Sequence, residues 1–466
     1  MEIKKKKETA EGGKMEKIIS LCKRRGFIYP GSEIYGGLSG AWDYGSFGLS
    51  LKNNIKNSWW KKFVEERDDM YGIDAAILMN AKVWEASGHI AGFSDPLVEC
   101  SKCHSQYRAD QIGFPPDHFQ NMKKGMPSIS YVFVPPKCEK CGSAENWFSP
   151  IMFNMMFKTN VGPVEDKGSV SYLRPETAQG MFVNFKNVMD SFHPRLPFGM
   201  AQIGKAFRNE ISPRDFLFRA REFEQMEIEY FTRESEWEKY FESFRTEILD
   251  WLADIGLDKD SIHELEVSAE DRAHYSKRTI DFEFDYPFGR KELLGLAYRT
   301  DFDLSAHIGK SGADLSYYDE ETKDRFVPHC IEPSFGLDRM ILAILCEVYT
   351  EDEMGGEKRI FLKFKPTVAP VKVAVFPLLK NKPELVKKAQ IIFSELKKEI
   401  RPIVFDDNGN IGKRYRRQDE IGTPFCVTID FDTLENDTVT VRDRDTGKQE
   451  RVKTGELSSF IKNSLK

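Results

Sequence analysis

The sequence predicts an α+β chain: an antiparallel-sheet core with inserted segments, followed by a small α/β domain. Three observations carry this. Residues 150–230 and 277–340 read as β-rich, with hairpin-length spacing and charged residues inside the strands. Between them, SEWEKYFESFRTEILDWLADIGL repeats Trp237, Phe241, Phe244, Ile248 and Leu252 at three and four, the period of a helix with one apolar face. After about residue 370, short apolar strands alternate with helices, the texture of a compact α/β unit. A chain of 466 residues has room for two or three such domains.

In order along the chain, residues 1–14 form a Lys-rich stretch without an apolar segment behind it, so a disordered tail is expected and not a secretory signal. EKIISLCKRRG is a helix closed by Gly26. A glycine-rich stretch leads into LSLKNNIKNSWWKKFVEER, whose Leu51, Ile55, Trp59 and Phe63 fall on one helical face. Residues 93–150 look like an insertion bearing paired cysteines, and 232–276 like a helical insertion. Residues 355–370 break the pattern and read as a linker. The expected domains are therefore 15–365 and 366–466.

Bulk properties exclude several classes. Net charge is -6, which argues against a wholesale electrostatic nucleic-acid binder but permits a local basic surface. Lys413, Arg414, Arg416 and Arg417 form one such cluster. No run of 18 apolar residues exists, so no membrane span is expected. Eight cysteines are too few for a disulfide scaffold, and a reducing, cytoplasmic setting is expected. Cys100, Cys103, Cys138 and Cys141 form two CxxC pairs. Two such knuckles close a tetrahedral site, and four thiolates leave no open position, so the expected metal is structural zinc. His104 beside them reads as a bystander.

The stretch AFRNEISPRDFLFRAREFEQMEIEYF carries the sharpest chemistry. Arg208 and Glu210 share one strand face. A returning antiparallel strand would bring Arg221 near Arg208, with Arg219 and Phe223 on the same side. Facing arginines are costly unless an anion lies between them, and guanidinium forks match phosphate oxygens. Phe223 can stack on a flat ring, and Glu210 can accept from an exocyclic amine. This describes a nucleoside phosphate bound on a sheet, in a chain with no GxxxxGK[ST] and no GxGxxG. Farther on, HCIEPSFGLDRMILAILCEVY reads as a strand entering a helix. Arg339 lies off its buried stripe, and Gly336 permits close backbone approach.

FRNE, FRAREF and GLDR resemble motifs 2 and 3 of class II aminoacyl-tRNA synthetases. EIYGGLSGAWDYG, WEASGHIAGFSDPLVEC, SYLRPETAQGMFVNF, FEQMEIEYF, KELLGLAYRTDFDL and EPSFGLDR narrow the resemblance to glycyl-tRNA synthetases of the dimeric single-chain type, over about residues 25–450. The resemblance implies a class II antiparallel-sheet catalytic core with a C-terminal anticodon-binding domain. It implies that glycine is joined to tRNA(Gly) through a glycyl-adenylate, with ATP and Mg²⁺, in a homodimer. It assigns ATP binding to Arg208, Asn209, Glu210, Phe218, Arg219, Arg221, Phe223, Glu292, Leu293, Gly336 and Arg339. Arg208, Glu210 and Arg339 are the implied catalytic set. Glycine falls to Arg108, Glu176, Glu224, Gln225, Glu227, Glu332 and Ser334, and Mg²⁺ to Glu292 and Glu332. A non-catalytic synthetase-like nucleic-acid-binding dimer is the alternative. The implied first motif usually has proline where this chain has Ser46.

Overall fold

The computed structural model describes residues 2–115, 136–144, 147–166 and 168–465. Its centre is a seven-stranded sheet of Met70–Gly72 (β1), Phe198–Phe207 (β2), Glu222–Thr232 (β3), Ile262–Glu266 (β4), Arg278–Tyr286 (β5), Gly289–Thr300 (β6) and His329–Gly336 (β7). The order is β4-β5-β6-β7-β3-β2-β1, antiparallel except where β1 joins β2. Strand alternation divides the sheet. Met226, Ile228 and Tyr230 of β3 and Ile331 and Phe335 of β7 enter the apolar core. Gln225, Glu227 and Glu229 therefore turn to the opposite face.

Four helices define the apolar side. They are Glu2–Arg25 (α1), Ser46–Trp60 (α2), Trp237–Asp254 (α3) and Leu337–Val348 (α4). Leu51, Ile55, Trp59 and Phe63 are fully buried, as the helical period predicts. The Phe335 ring meets Trp59, Phe63 and Trp251 at centroid distances of 5.8, 5.5 and 5.4 Å, which clamps β7 between α2 and α3. Ser46 is the first residue of α2, a position where proline is favoured only because its missing N–H is not needed. Serine keeps the helix start there. Gly48 is required for another reason: a Cβ there would collide with the Phe27 carbonyl, where α2 crosses the chain leaving α1.

Four expectations change. The backbone of residues 2–14 continues α1 where a disordered tail was expected, since Lys, Glu and Ala all favour helix. The segment 232–276 supplies the sheet's edge strand β4 as well as helix α3, because the chain must return across the sheet after the helix. The β-rich segment 150–230 also holds two short helices, Ala178–Phe182 and Phe185–Phe192. The first half of the expected linker 355–370 belongs to an ordered hairpin that ends at Leu362. Gly355 and Gly356, at φ 63° and 79°, form its turn, and Tyr349–Met354 pairs with Glu357–Leu362. Two positive-φ residues match the twist of the flanking strands.

The C-terminal unit is a five-stranded sheet of Val373–Pro377 (β8), Ile403–Phe405 (β9), Phe425–Ile429 (β10), Thr438–Asp443 (β11) and Gln449–Lys453 (β12), ordered β9-β8-β10-β11-β12. Helices Pro383–Glu399 (α5) and Ile411–Ile421 (α6) pack on it. The basic cluster of α6 is largely spent inside the fold. Buried Arg414 donates to the carbonyls of Pro377, Asp407 and Gly409. Arg417 pairs with Asp406 at 2.7 Å and Arg416 with Glu357 at 2.8 Å. The two units are tied together: Arg24 and Arg25 of α1 both reach Glu420, and Arg359 of the hairpin lies between Asp352 and Asp419.

Candidate active site

The polar face of the sheet is laid out in rows. Gln202, Glu227, Ser334 and Gly295 stand side by side across β2, β3, β7 and β6. The next row toward the hairpin end begins Gly204 and Gln225, opposite Gly336. A Cβ at Gly204 would collide with the buried Arg174 guanidinium, which donates to the Ala75 carbonyl at 2.7 Å. Small residues at these points leave room above the sheet, and two adjoining clefts fill it. They share Arg208, Gln225, Glu292 and Ser334.

The first cleft, about 690 Å³, lies at the hairpin end of β2 and β3. Arg208 donates its backbone N–H to the Arg221 carbonyl, so the two arginines do face each other across the hairpin. Their side chains diverge. The Arg208 guanidinium lies 5.2 Å from the Phe223 ring centre and 5.4 Å from that of Phe93. Arg221 donates to the Glu210 carbonyl and, at 2.8 Å, to the Ser39 carbonyl. Arg219 stands 3.8 Å from Glu210, and its buried Nη1 has no hydrogen-bond partner among the described residues. Desolvation pulls the Arg219 pKa down, so a charge is held there without full compensation. Across the cleft, Arg339 packs 4.6 Å over the Phe218 ring and pairs with Glu292 at 3.0 Å. That pairing holds the Glu292 carboxyl below the usual range.

The second cleft, about 810 Å³, is lined by carboxylates. Glu227 accepts from the Thr177 backbone N–H and hydroxyl, from Ser334 at 2.6 Å and from Gln225 at 2.6 Å. Burial, with Glu176 alongside, pushes its pKa up. Burial opposes ionisation of Glu176 too. There His89 at 3.3 Å, Arg299 and Gln179 outweigh it and hold the carboxyl below its ordinary range. Glu332 pairs with buried Arg299 at 2.8 Å, and Arg299 also grips Asp303 through two bonds of 2.8 Å. Burial still pushes Glu332 up to about 8, with Glu227 and Glu176 adding to it. Residues 267–275 form a roof, and Tyr275 stacks 3.8 Å from the Arg299 guanidinium.

The four cysteine sulfurs lie within 4.8 Å of one another. Cys100–Cys141 and Cys103–Cys138 are 3.7 and 3.6 Å apart, close to the ~3.8 Å edge of a tetrahedron with zinc–sulfur bonds of ~2.3 Å. The two knuckles match: the residue after each pair, His104 or Gly142, takes positive φ and bonds back to the first cysteine's carbonyl. His104 turns its ring to Glu99. The donor set fits a closed structural zinc site.

Comparison with known proteins places this geometry. The tRNA synthetase class II core domain (G, H, P, S and T) matches residues 157–348, and the anticodon binding domain matches 372–464. The glycine–tRNA ligases of Caldanaerobacter subterraneus and Clostridium acetobutylicum are each 49% identical to the chain. They cover 97% of it and 98% and 99% of the relatives' own lengths. That of Thermobifida fusca is 47% identical over 98% of this chain and 99% of its own. The chain belongs to the glycine–tRNA ligase family. Among the described residues of this family member, no helix is long and apolar enough to cross a membrane.

Against that family, the residues singled out in the sequence separate into those the fold gathers and those it does not. Arg208, Glu210, Phe218, Arg219, Phe223, Glu292, Leu293, Gly336 and Arg339 line the first cleft. Glu176, Gln225, Glu227, Glu332 and Ser334 line the second. Four do not line either cleft. Glu224 points through the sheet to Lys52 and Lys56, at 2.9 and 2.5 Å, because strand alternation puts it opposite Gln225. Arg221 is spent on carbonyls. Arg108 is held by Asp95 at 2.6 Å and Asp110 at 2.7 Å. Asn209 is bonded through its backbone to Met155, outside the lining. Glu332 and Glu292 cannot share one ion. Glu332 sits opposite Ala297, five residues along β6 from Glu292, a rise of ~16 Å. Asp281 is the carboxyl beside Glu292: burial, Glu292 and Glu283 together push it up to about 7. The sequence reading missed His89, Thr177, Gln179, Arg299 and Asp303, although each lies in or beside a quoted stretch. Their signal is polar residues at buried positions, visible only once burial is known.

Proposed function

We propose that the chain attaches glycine to tRNA in two steps, forming glycyl-adenylate from glycine and ATP and then passing the glycyl group to the 3′-terminal adenosine. One observation carries this reading: an arginine- and phenylalanine-lined cleft opens into a carboxylate-lined one, with Arg208 at their junction. In the first cleft Phe223 offers a face for adenine, Glu210 an acceptor for its amine, and Arg219 and Arg339 charge for the phosphates. The buried, unpartnered Nη1 of Arg219 supports an incoming anion there. Mg²⁺ would be carried by Glu292 with Asp281, and when bound it neutralises phosphate charge. In the second cleft Glu176, Glu227 and Glu332 suit the ammonium of glycine. Glycine has no side chain to grip, so charge must supply its affinity. The tight Ser334–Glu227–Gln225 chain of hydrogen bonds leaves little space for a methyl group.

Glycine's carboxylate then faces the α-phosphorus beside Arg208. Attack forms the acyl-phosphate bond as pyrophosphate leaves with the electron pair. Positioning and guanidinium charge suffice, with no covalent enzyme intermediate. A ribose hydroxyl next attacks the glycyl carbonyl and AMP leaves. Structural zinc would close Cys100, Cys103, Cys138 and Cys141. A homodimer is supported by the exposed apolar run Ile34, Tyr35 and Leu38, whose glycine-rich loop supports Arg221 through the Ser39 carbonyl. Domains of 15–365 for chemistry and 366–466 for the anticodon, a cytoplasmic setting and recognition of tRNA(Gly) complete the reading. A non-catalytic binder is not favoured, since Arg208, Glu210, Phe223 and Arg339 line one cleft. Glycine-dependent exchange of pyrophosphate into ATP, followed by charging of total tRNA, is the test. Exchange driven by another amino acid, and not by glycine, would overturn the proposal.

A further inference from the structure

The roof of the second cleft holds a cation with no partner among the described residues. Arg272 lines this cleft and not the first. Its Nε is buried without a hydrogen-bond partner. Three of the floor carboxylates are engaged, Glu176 by His89, Glu227 by Thr177 and Ser334, and Glu332 by Arg299, while Asp281 lies beside Glu292. The roof itself is fixed. Ser268 donates to Asp271 at 2.8 Å, the Arg272 backbone N–H bonds the Ser268 carbonyl, and Tyr275 rests on Arg299. Arg272 is thus held out over the cleft with its donors unspent.

We propose that Arg272 receives a backbone phosphate of the tRNA 3′ end when the terminal adenosine reaches the glycyl-adenylate. This rests on the two-step reading above. Glycine's own carboxylate is the competing anion, but it has to face the α-phosphorus at Arg208, where the clefts join, and Arg272 is absent from that junction. The lining of the second cleft extends past Glu176, Glu227 and Glu332 to Val267, Asp271, Arg272 and Ala273, and on this proposal the incoming ribose occupies that extension. A phosphodiester follows that ribose by covalent necessity, and a guanidinium fork matches its oxygens.

The test separates the two steps. In Arg272→Ala, glycine-dependent pyrophosphate exchange should stay within about twofold of wild type, while kcat/KM for tRNA glycylation falls about 10–100-fold. The salt dependence of KM for tRNA should flatten by about one phosphate's worth, a slope change of ~0.7–1. Arg272→Lys should recover part of the loss, since a phosphate accepts a point charge. A raised KM for glycine in the exchange assay, or unchanged charging, would overturn the proposal. A wild-type protein that neither exchanges nor charges would instead overturn the underlying function.

Discussion

Arg219 and Arg221 stand two positions apart and do different work. Arg219 keeps a buried donor unspent in the first cleft, while Arg221 braces the Glu210 and Ser39 carbonyls. Arg219→Ala should therefore raise KM for ATP about tenfold in the exchange assay without lowering the melting temperature. Arg221→Ala should strand the part-buried Glu210 carbonyl and cost about 1–3 kcal/mol in chemical denaturation. Equal effects of the two on stability would contradict the division. Glu332 gives a pH prediction. Its carboxyl is pushed up to about 8 by burial. An ammonium needs the ionised form, so below that pH glycine must displace a proton. Glycine affinity should rise from pH 6.5 to about 8 and then level, with proton release seen by calorimetry in buffers of different ionisation enthalpy. Glu332→Gln should flatten the profile. For folding the sign is opposite: a raised carboxyl stabilises the folded state at low pH, and that contribution is lost as pH rises toward 8.

Among the elements, strands announced themselves and their ends did not. Alternation from Arg219 to Tyr230 was legible, and with it the hairpin and most of the first cleft. Side-chain direction past the strand end was not. The reading placed Arg221 beside the phosphates, and loop geometry turned it to Ser39. Glu224 was drawn into the glycine set by its neighbours, although its own parity sends it to Lys52. The Gly355–Gly356 pair was read as a breaker, yet two positive-φ residues between extended strands are what a tight hairpin needs. His89 and Arg299 were invisible as site residues because the cleft carboxylates they meet, Glu176 and Glu332, are distant in sequence. Two predictions belong here. Gly48→Ala would press a methyl into the Phe27 carbonyl, costing about 3 kcal/mol with a matching fall in melting temperature. Cys138→Ser should cut bound zinc from near one per chain to near zero and loosen the knuckles to proteolysis; retained zinc would refute the four-thiolate site.

At the scale of the whole molecule, the exposed apolar run is a surface a soluble monomer rarely keeps. Ile34 and Tyr35 are 88% and 87% exposed. Changing both to Glu should yield monomers by sedimentation, with exchange activity reduced because the glycine-rich loop then loses its cover. A sedimentation profile that is the same for wild type and variant would refute this run as a dimer surface.

The tie between α1 and Glu420 carries a consequence in time. A ribosome releases α1 well before α6, so α1 waits for the 395 residues that run from Arg25 to Glu420 before its arginines meet their carboxylate. The cost of closing so long a loop grows only slowly with length. The wait is thus a matter of order: a tag or cut placed in α1 would be felt in the five-stranded unit that carries Glu420.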